Sequence, residues 1–476
     1  MRMLHAILPL ALLAFCLPAA AQSGPFPNQP QVGPPKAFSL PRTQDFTLPN
    51  GMQVTLIPSG LAPKTSMMLR IEAGNLDEHT STWLADLTGE MLKQGAGGRS
   101  AGQIADAAAA MGGALNVGVS WSRTDLSIAV LQDSAPAAIA LLSDVARRPD
   151  FAPDAFARAR QDLVRNLAVT LARAQPVAGA VLAKAIYGPT HPYGRVLPDA
   201  AQLNGYRLDD VRSFYDANYG AKRAHLYVAG QFDAQAIRAA VMQAFGDWAP
   251  GPEALSLVPQ PALGPGSGRR VLLVDRPGAP QSTLQLAFSA PMAGAPGDIG
   301  LRVTDALLSG AFNSRITTNI REEKGYTYSP GSSIGFRPGD AVWTFEADVA
   351  SAVTGAALHE VFKEITGLQA AAPPLDEASG MSTWLSGVFV LQNASPGGLI
   401  RALAQRDALD LPKDWLDAYV PAVLSIQPQD IEASAKSVFT LDGFVLVIVG
   451  DLKTVAPQVR ALRELKGAKF IVTKLE

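Results

Sequence analysis

The run TSMMLRIEAG, which begins at Thr65, returns in kind as STLQLAFSAP beginning at Ser282 (282 − 65 = 217). Further on, AHLYVAGQFD closes an apolar run with Gly230, and FVLVIVGDLK closes one with Gly450 (450 − 230 = 220). An offset held over most of a domain marks an internal duplication and limits the fold to two like units in tandem. Between these anchors lie segments of helical period: LADLTGEMLKQG, AAIALLSDVARR and DAFARARQDLVRNLAVTLARA in the first half, IGLRVTDALLSG and GAALHEVFKEITGL in the second. Strands and helices are interspersed, with hairpin-like strand pairs. The pattern predicts an α+β protein of two homologous domains, each a mainly antiparallel sheet covered by helices on one face.

Two domains also suit the size, since 476 residues, 48% of them hydrophobic, exceed what one core normally supports. The expected division is a signal peptide over 1–21, a flexible Pro-rich lead-in over 22–44, domains over 45–248 and 269–476, and a Pro/Gly-rich linker over 249–268. The start, MRMLHAILPLALLAFCLPAAAQ, joins a short basic head to an apolar core and a small-residue exit, which predicts export with cleavage after Ala21. Cys16, the sole cysteine, falls within that segment, so disulfides and cysteine chemistry are excluded from the mature chain. The expected destination is the periplasm, and no second run reaches transmembrane length. With 40 basic and 42 acidic residues, a net charge of −2 and no basic tail, nothing invites nucleic acid or an anionic membrane.

The stretch STWLADLTGEMLKQGAGGRS, residues 81–100, carries the first chemical question. Leu84, Leu87 and Met91 give a helix one apolar face, and Asp86 and Glu90 lie four apart beside it. That spacing would aim two metal ligands at one point, yet these are like charges that repel when unpaired. Gly89 between them costs about 1 kcal/mol relative to Ala in a helix interior. The plain reading of the pair is a solvated or locally paired helix face; the other is a hard-cation site.

The order of FTLPNGMQVTLIPS, the segment from Ser81 with GAGGRS, AAAMGGALNV, YGPTHPYGR, NYGAKRAHLYVAGQFD and NSRITTNIREEKGYTYS resembles the pitrilysin/insulysin and mitochondrial-processing-peptidase family of zinc peptidases, the inverzincins. The resemblance spans roughly the whole mature chain, and its last segment is the most specific. Family members carry H-x-x-E-H on the helix matching residues 81–94, two His holding zinc and the Glu acting as general base. Here the five positions read Asp86, Leu87, Thr88, Gly89 and Glu90. The resemblance also implies a third ligand, a Glu on a later helix near RARQDLVRNLAV, but residues 91–252 contain no Glu, and Asp162 is the one carboxylate in that stretch. Two carboxylates without imidazole make a poor zinc site. The expectation is therefore no metal in this chain. In REEKGYTY, Arg321 and Tyr328 match the family's Arg/Tyr pair, which faces the zinc across the substrate and holds a peptide carbonyl as its oxygen gains charge. Read without the resemblance, Arg321 pairs with a nearby Glu and Tyr328 packs an edge. Some members are heterodimers in which one subunit carries zinc and the other only the Arg/Tyr pair. The resemblance thus implies a non-catalytic subunit whose partner is an H-x-x-E-H-bearing sibling holding the zinc, with a peptide as substrate.

GSSIG, residues 331–335, matches the G-x-S-x-G nucleophile elbow and makes Ser333, with His359 downstream, the candidate of a self-sufficient serine hydrolase. The context argues for a flexible turn instead, because an elbow needs a strand running into a helix. His5, His79, His191, His225 and His359 show no ligand spacing, and His191 is expected to be structural. GAGGRS lacks the Lys of a phosphate loop. A third class, a substrate-binding or scaffold pseudopeptidase, stands beside the subunit and hydrolase readings.

Overall fold

Alternation decides which side of each strand meets the core. Along residues 64–71, Met67, Leu69 and Ile71 point into the first domain's main cluster, while Ser66, Met68 and Arg70 take the opposite face. The computed structural model describes residues 37–253, 263 and 267–473. The signal segment 1–21, the lead-in up to residue 36 and most of the linker lie outside the described residues.

The strands in chain order are β1 (Gln44–Thr47), β2 (Gln53–Pro58), β3 (Lys64–Ile71), β4 (Gly95–Ala96), β5 (Arg99–Ser100), β6 (Asn116–Val119), β7 (Thr124–Leu131) and β8 (Ala224–Gly230) in the first half. The second half supplies β9 (Arg270–Asp275), β10 (Gln281–Ser289), β11 (Gly331–Arg337), β12 (Asp340–Ala350), β13 (Val445–Gly450) and β14 (Lys469–Thr473). Twelve of them build two six-stranded sheets, ordered β1-β2-β8-β3-β7-β6 and β11-β12-β10-β13-β9-β14, and β4 pairs with β5 alone. Read from opposite ends, the two orders superimpose, so the duplication inferred from sequence is a duplication of topology. Even the register agrees: Ser66 faces Ala229 in one sheet and Thr283 faces Val449 in the other, pairs related by the same two offsets. Gly230 ends β8 at φ +120°, where a Cβ would come 2.2 Å from the Lys64 carbonyl oxygen, so the close strand ending requires glycine. The halves differ at one edge, where β1 pairs antiparallel with β2 but β14 runs parallel to β9.

Helices cover one face of each sheet. Leu87, Met91, Ile139, Leu142, Val211 and Phe214 pack on the first, and Leu358, Val361, Phe362, Ile365 and Ile431 on the second. The opposite face of each sheet receives a helix from the other domain. From the first domain, the helix Ala174–Tyr187 lays Val177, Val181 and Leu182 against Val274, Val445 and Val447 of the second sheet. In return, the helix Pro396–Ala408 lays Leu399, Ile400 and Leu403 against Ile57, Met68 and Tyr227 of the first. Each such large apolar side chain contributes about 1.5–3 kcal/mol when fully buried. These contacts bind the halves together.

A polar lock reinforces the crossing. The Arg337 guanidinium lies 4.9–5.4 Å from the ring centroids of Trp121, Tyr187 and Tyr193, and the Tyr187 hydroxyl donates to Asp340. His191 stacks on Tyr187 and accepts the Tyr193 N–H at 3.1 Å, the structural role expected of it. The end of the segment expected to be flexible is docked: Phe38 meets Phe389 edge-on at 5.0 Å, and the Leu40 N–H donates to Asp417 at 2.7 Å. The first linker residues are also tied down, Ala249 and Pro250 accepting from the N–H groups of Ala221 and Lys222.

Candidate functional site

The helix expected over residues 81–94 is shorter, Leu84–Leu92, because Trp83 sits in the left-handed region at φ 67° and starts it abruptly. Glu78 serves as its cap from a distance, accepting the N–H groups of Trp83 at 3.1 Å and Ala85 at 3.0 Å. GAGGRS, which follows, forms the small hairpin β4–β5. Asp86 is half-buried and accepts from Asn75 Nδ2 at 2.7 Å, and the same amide donates to Glu78 at 3.3 Å. Burial raises the pKa of Asp86, and it pushes that of Glu78, only 4% exposed, up to about 8. Asp86 is thus one end of a carboxylate–amide–carboxylate bridge, locally paired as one form of the expectation had it but more enclosed than a surface group. Glu90 pairs with Lys93 at 2.8 Å, as a surface group does. A Cβ on Gly89 would lie 2.5 Å from Val119 Cγ2, so the direction in which the family's general base would extend is already filled. Asp162 is exposed and paired with Arg165. Among the described residues no three His, Cys, Asp or Glu side chains are grouped to hold a metal, and this donor set does not fit zinc.

The second domain brings its two expected residues together. Arg321 lies in a π-helical turn, Thr318–Glu323, that continues the short helix Arg315–Thr317. Such turns widen the backbone and re-aim side chains. Asn319 in that turn is fixed by donating to Glu360 at 2.9 Å and Glu364 at 2.7 Å. Gly325, at φ 64°, reverses the chain, and Thr327 then pairs with Val349 and donates its hydroxyl to the Asp348 carbonyl at 2.6 Å. Tyr328 follows, 80% exposed, with its ring 5.2 Å from the Arg321 guanidinium carbon. The Phe312 ring, itself 70% exposed, has its centroid 4.3 Å from the same carbon. Arg321 also pairs with Glu322 at 3.1 Å, the local partner that sequence alone predicts; exposed pairs of this kind contribute about 0–1 kcal/mol and leave the fork available. Tyr328 packs no edge. Sequence reasoning did not find Phe312, Asn75 or Glu78; an aromatic nine residues before Arg321 was the only visible trace of the first.

The remaining candidates dissolve. GSSIG is not a turn but part of β11, with Ser333 exposed and opposite Thr344 in β12, so no strand-to-helix elbow presents a nucleophile. His359 pairs with Glu464 at 3.0 Å. His225 is enclosed against Tyr227, 3.9 Å between ring centroids, and burial lowers its pKa to about 4.

A family model described as Insulinase (Peptidase family M16) matches residues 54–195, and one described as Peptidase M16 inactive domain matches residues 206–378. An uncharacterised zinc protease of Mycobacterium tuberculosis is 27% identical over 311 residues, 65% of this chain and 70% of that protein. A probable mitochondrial-processing peptidase subunit beta of Arabidopsis thaliana is 25% identical over 284 residues, 59% of this chain and 52% of that one. Among solved structures, a peptidase M16 inactive domain from Pseudomonas fluorescens superposes with a TM-score of 0.77 at 21% identity, over 86% of this chain and 98% of that one. A protease from Helicobacter pylori gives 0.80 at 16% identity, over 87% and 100%.

Proposed function

The chain belongs to the insulinase family of peptidases, family M16, and from that premise we propose that it is the non-catalytic subunit of an exported heteromeric zinc peptidase, acting in the periplasm. One observation carries the reading: Arg321, half-buried, and Tyr328, open to solvent, stand together, while the helix that bears the metal motif in other members has no zinc-binding donor set. The partner is an H-x-x-E-H-bearing sibling, which supplies metal, general base and water. This chain supplies binding. The Arg321 fork and the Tyr328 hydroxyl donate to the carbonyl oxygen of an extended peptide, and both donations strengthen as that oxygen gains negative charge. Neither group has to change protonation. The aromatic faces of Phe312 and Tyr328 hold the guanidinium in place before substrate arrives.

The signal-like start supports export, and among the described residues no helix is long and apolar enough to cross a membrane. The test is reconstitution. Purified alone, the chain contains substoichiometric zinc and cleaves no peptide; mixed with its sibling, it elutes as a complex that cleaves extended peptides. A sibling fully active alone, with rate and elution unchanged by this chain, would move the assignment to a scaffold.

A further inference from the structure

The first sheet's outer face is not wholly covered by the helix Pro396–Ala408. Between that helix, the outer side of β3, β6 and β7 and the β11–β12 turn lies a cleft of about 650 Å³, a volume in the range of small-molecule sites. It lies on the other side of β6 from the motif helix: Val117 and Val119 pack toward that helix, whereas Gly118 alternates onto the cleft side. Met68, Phe336, Ile400 and Leu409 give the cleft apolar walls.

Its charges do not balance. Arg70, Arg123 and Arg401 line it against one carboxylate, Asp125. Asp125 accepts from Arg70 Nε at 2.8 Å and Nη2 at 3.0 Å, and from Arg123 Nε at 3.2 Å. Arg70 is spent, its remaining terminal nitrogen donating to the Ala404 carbonyl. The terminal nitrogens of Arg123, and the whole guanidinium of Arg401, have no acceptor among the described residues. Burial, and after it the charge of Arg70, lowers the pKa of Arg123 against the opposing attraction of Asp125. Glu72, beside Arg70, opens on an adjoining cleft that Arg70 and Arg123 also line together with Asp77 and Asp407. Uncompensated guanidinium groups in an apolar-walled cleft concentrate potential and favour an anion.

We propose that this cleft binds a carboxylate carried on a compact apolar body, the chemistry shared by a peptide C-terminus ending in an apolar residue and a fatty acid. Arg401 and the free end of Arg123 take the carboxylate, and the apolar walls take the body. The site is independent of Arg321 and Tyr328, and its test involves no peptidase activity.

The full chain is titrated at low ionic strength with N-acetyl-L-phenylalanine and, separately, with decanoate, each beside its uncharged amide. Saturable binding of either acid, with no binding of its amide, is expected, and the acid that binds identifies the source. Arg401→Ala, at an exposed position, weakens that binding about tenfold, the loss of one charged donor. Gly118→Phe fills the cleft and abolishes binding; a Cβ there has nothing within 4 Å, so the strand tolerates it. Should Gly118→Phe fail to fold, Arg401→Ala decides alone. Absence of saturable binding of both acids, equal binding of acid and amide, or binding unchanged by Arg401→Ala overturns the proposal.

Discussion

Tyr328 is the residue on which the proposed role can be isolated, because 80% of it is exposed and its hydroxyl serves no internal bond among the described residues. Tyr328→Phe leaves fold and assembly intact while slowing turnover of the complex about a hundredfold, the usual cost of one donor to a developing oxyanion. Arg321→Ala costs at least as much, and Ser333→Ala changes nothing. Gly89→Ala sets two effects against each other: helix propensity gains about 1 kcal/mol, but Val119 stands 2.5 Å from the new methyl and is stiff at χ1. The clash dominates, giving a net loss of about 1–2 kcal/mol that Val119→Ala in the same chain relieves, read by urea denaturation. Glu78 titrates at about 8 in the folded chain against 4.5 unfolded. Its raised pKa makes stability full below pH 4.5 and falling as pH rises through about 8. Denaturation across that window should show the slope in the wild type and a flatter one in Glu78→Gln, each pKa unit being worth about 1.4 kcal/mol. Arg321 and Tyr328 were expected together only because the resemblance to the zinc-peptidase family names them. Glu78, Asn75 and Phe312 were not legible, since their contacts are made across loops and leave no period in the sequence.

Elements were legible where one face is apolar and the other wet, as in the helices Ala135–Arg147 and Thr354–Ala370. Legibility failed where burial is all-round. In Ala174–Tyr187, Val177, Ala178, Ala180, Val181 and Leu182 are all buried, so the segment has little amphipathic signature and nothing announced which sheet it covers. Residues 331–335 read as a turn from their glycines, but β12 supplies a full partner strand, with Trp343 opposite Ile334, and pairing overrides local propensity. The motif helix begins late because its cap, Glu78, is five residues before Trp83 rather than at the usual position. The crossing helix can be tested through Leu403, which is fully buried against the first sheet. Leu403→Ala removes a side chain of the second half, yet it lowers the unfolding free energy of the whole protein by about 2–5 kcal/mol. Hydrogen exchange should then show faster opening of β3 and β8 in the first half.

At the scale of the molecule, the two cores are separate clusters and the crossed helices join them. The duplication predicts two units; the exchange makes them one cooperative system, a feature the repeat offset could not reveal because both halves exchange alike. Calorimetry should give a single unfolding transition rather than two. A fragment ending at residue 253 leaves Ile57, Met68 and Tyr227 without their cover and should bind the dye anilinonaphthalene sulfonate, which the intact chain does not. Emergence of the chain, N-terminus first, adds an order of assembly to this arrangement. The last strand of the first sheet ends at Gly230, but the helix that closes its outer face begins at Pro396 (396 − 230 = 166 residues later). Because the chain emerges N-terminus first, the first sheet waits with an apolar side bare until that later segment has followed. The growing chain therefore has a built-in interval in which a chaperone can hold it, and the interval ends when its own later half arrives.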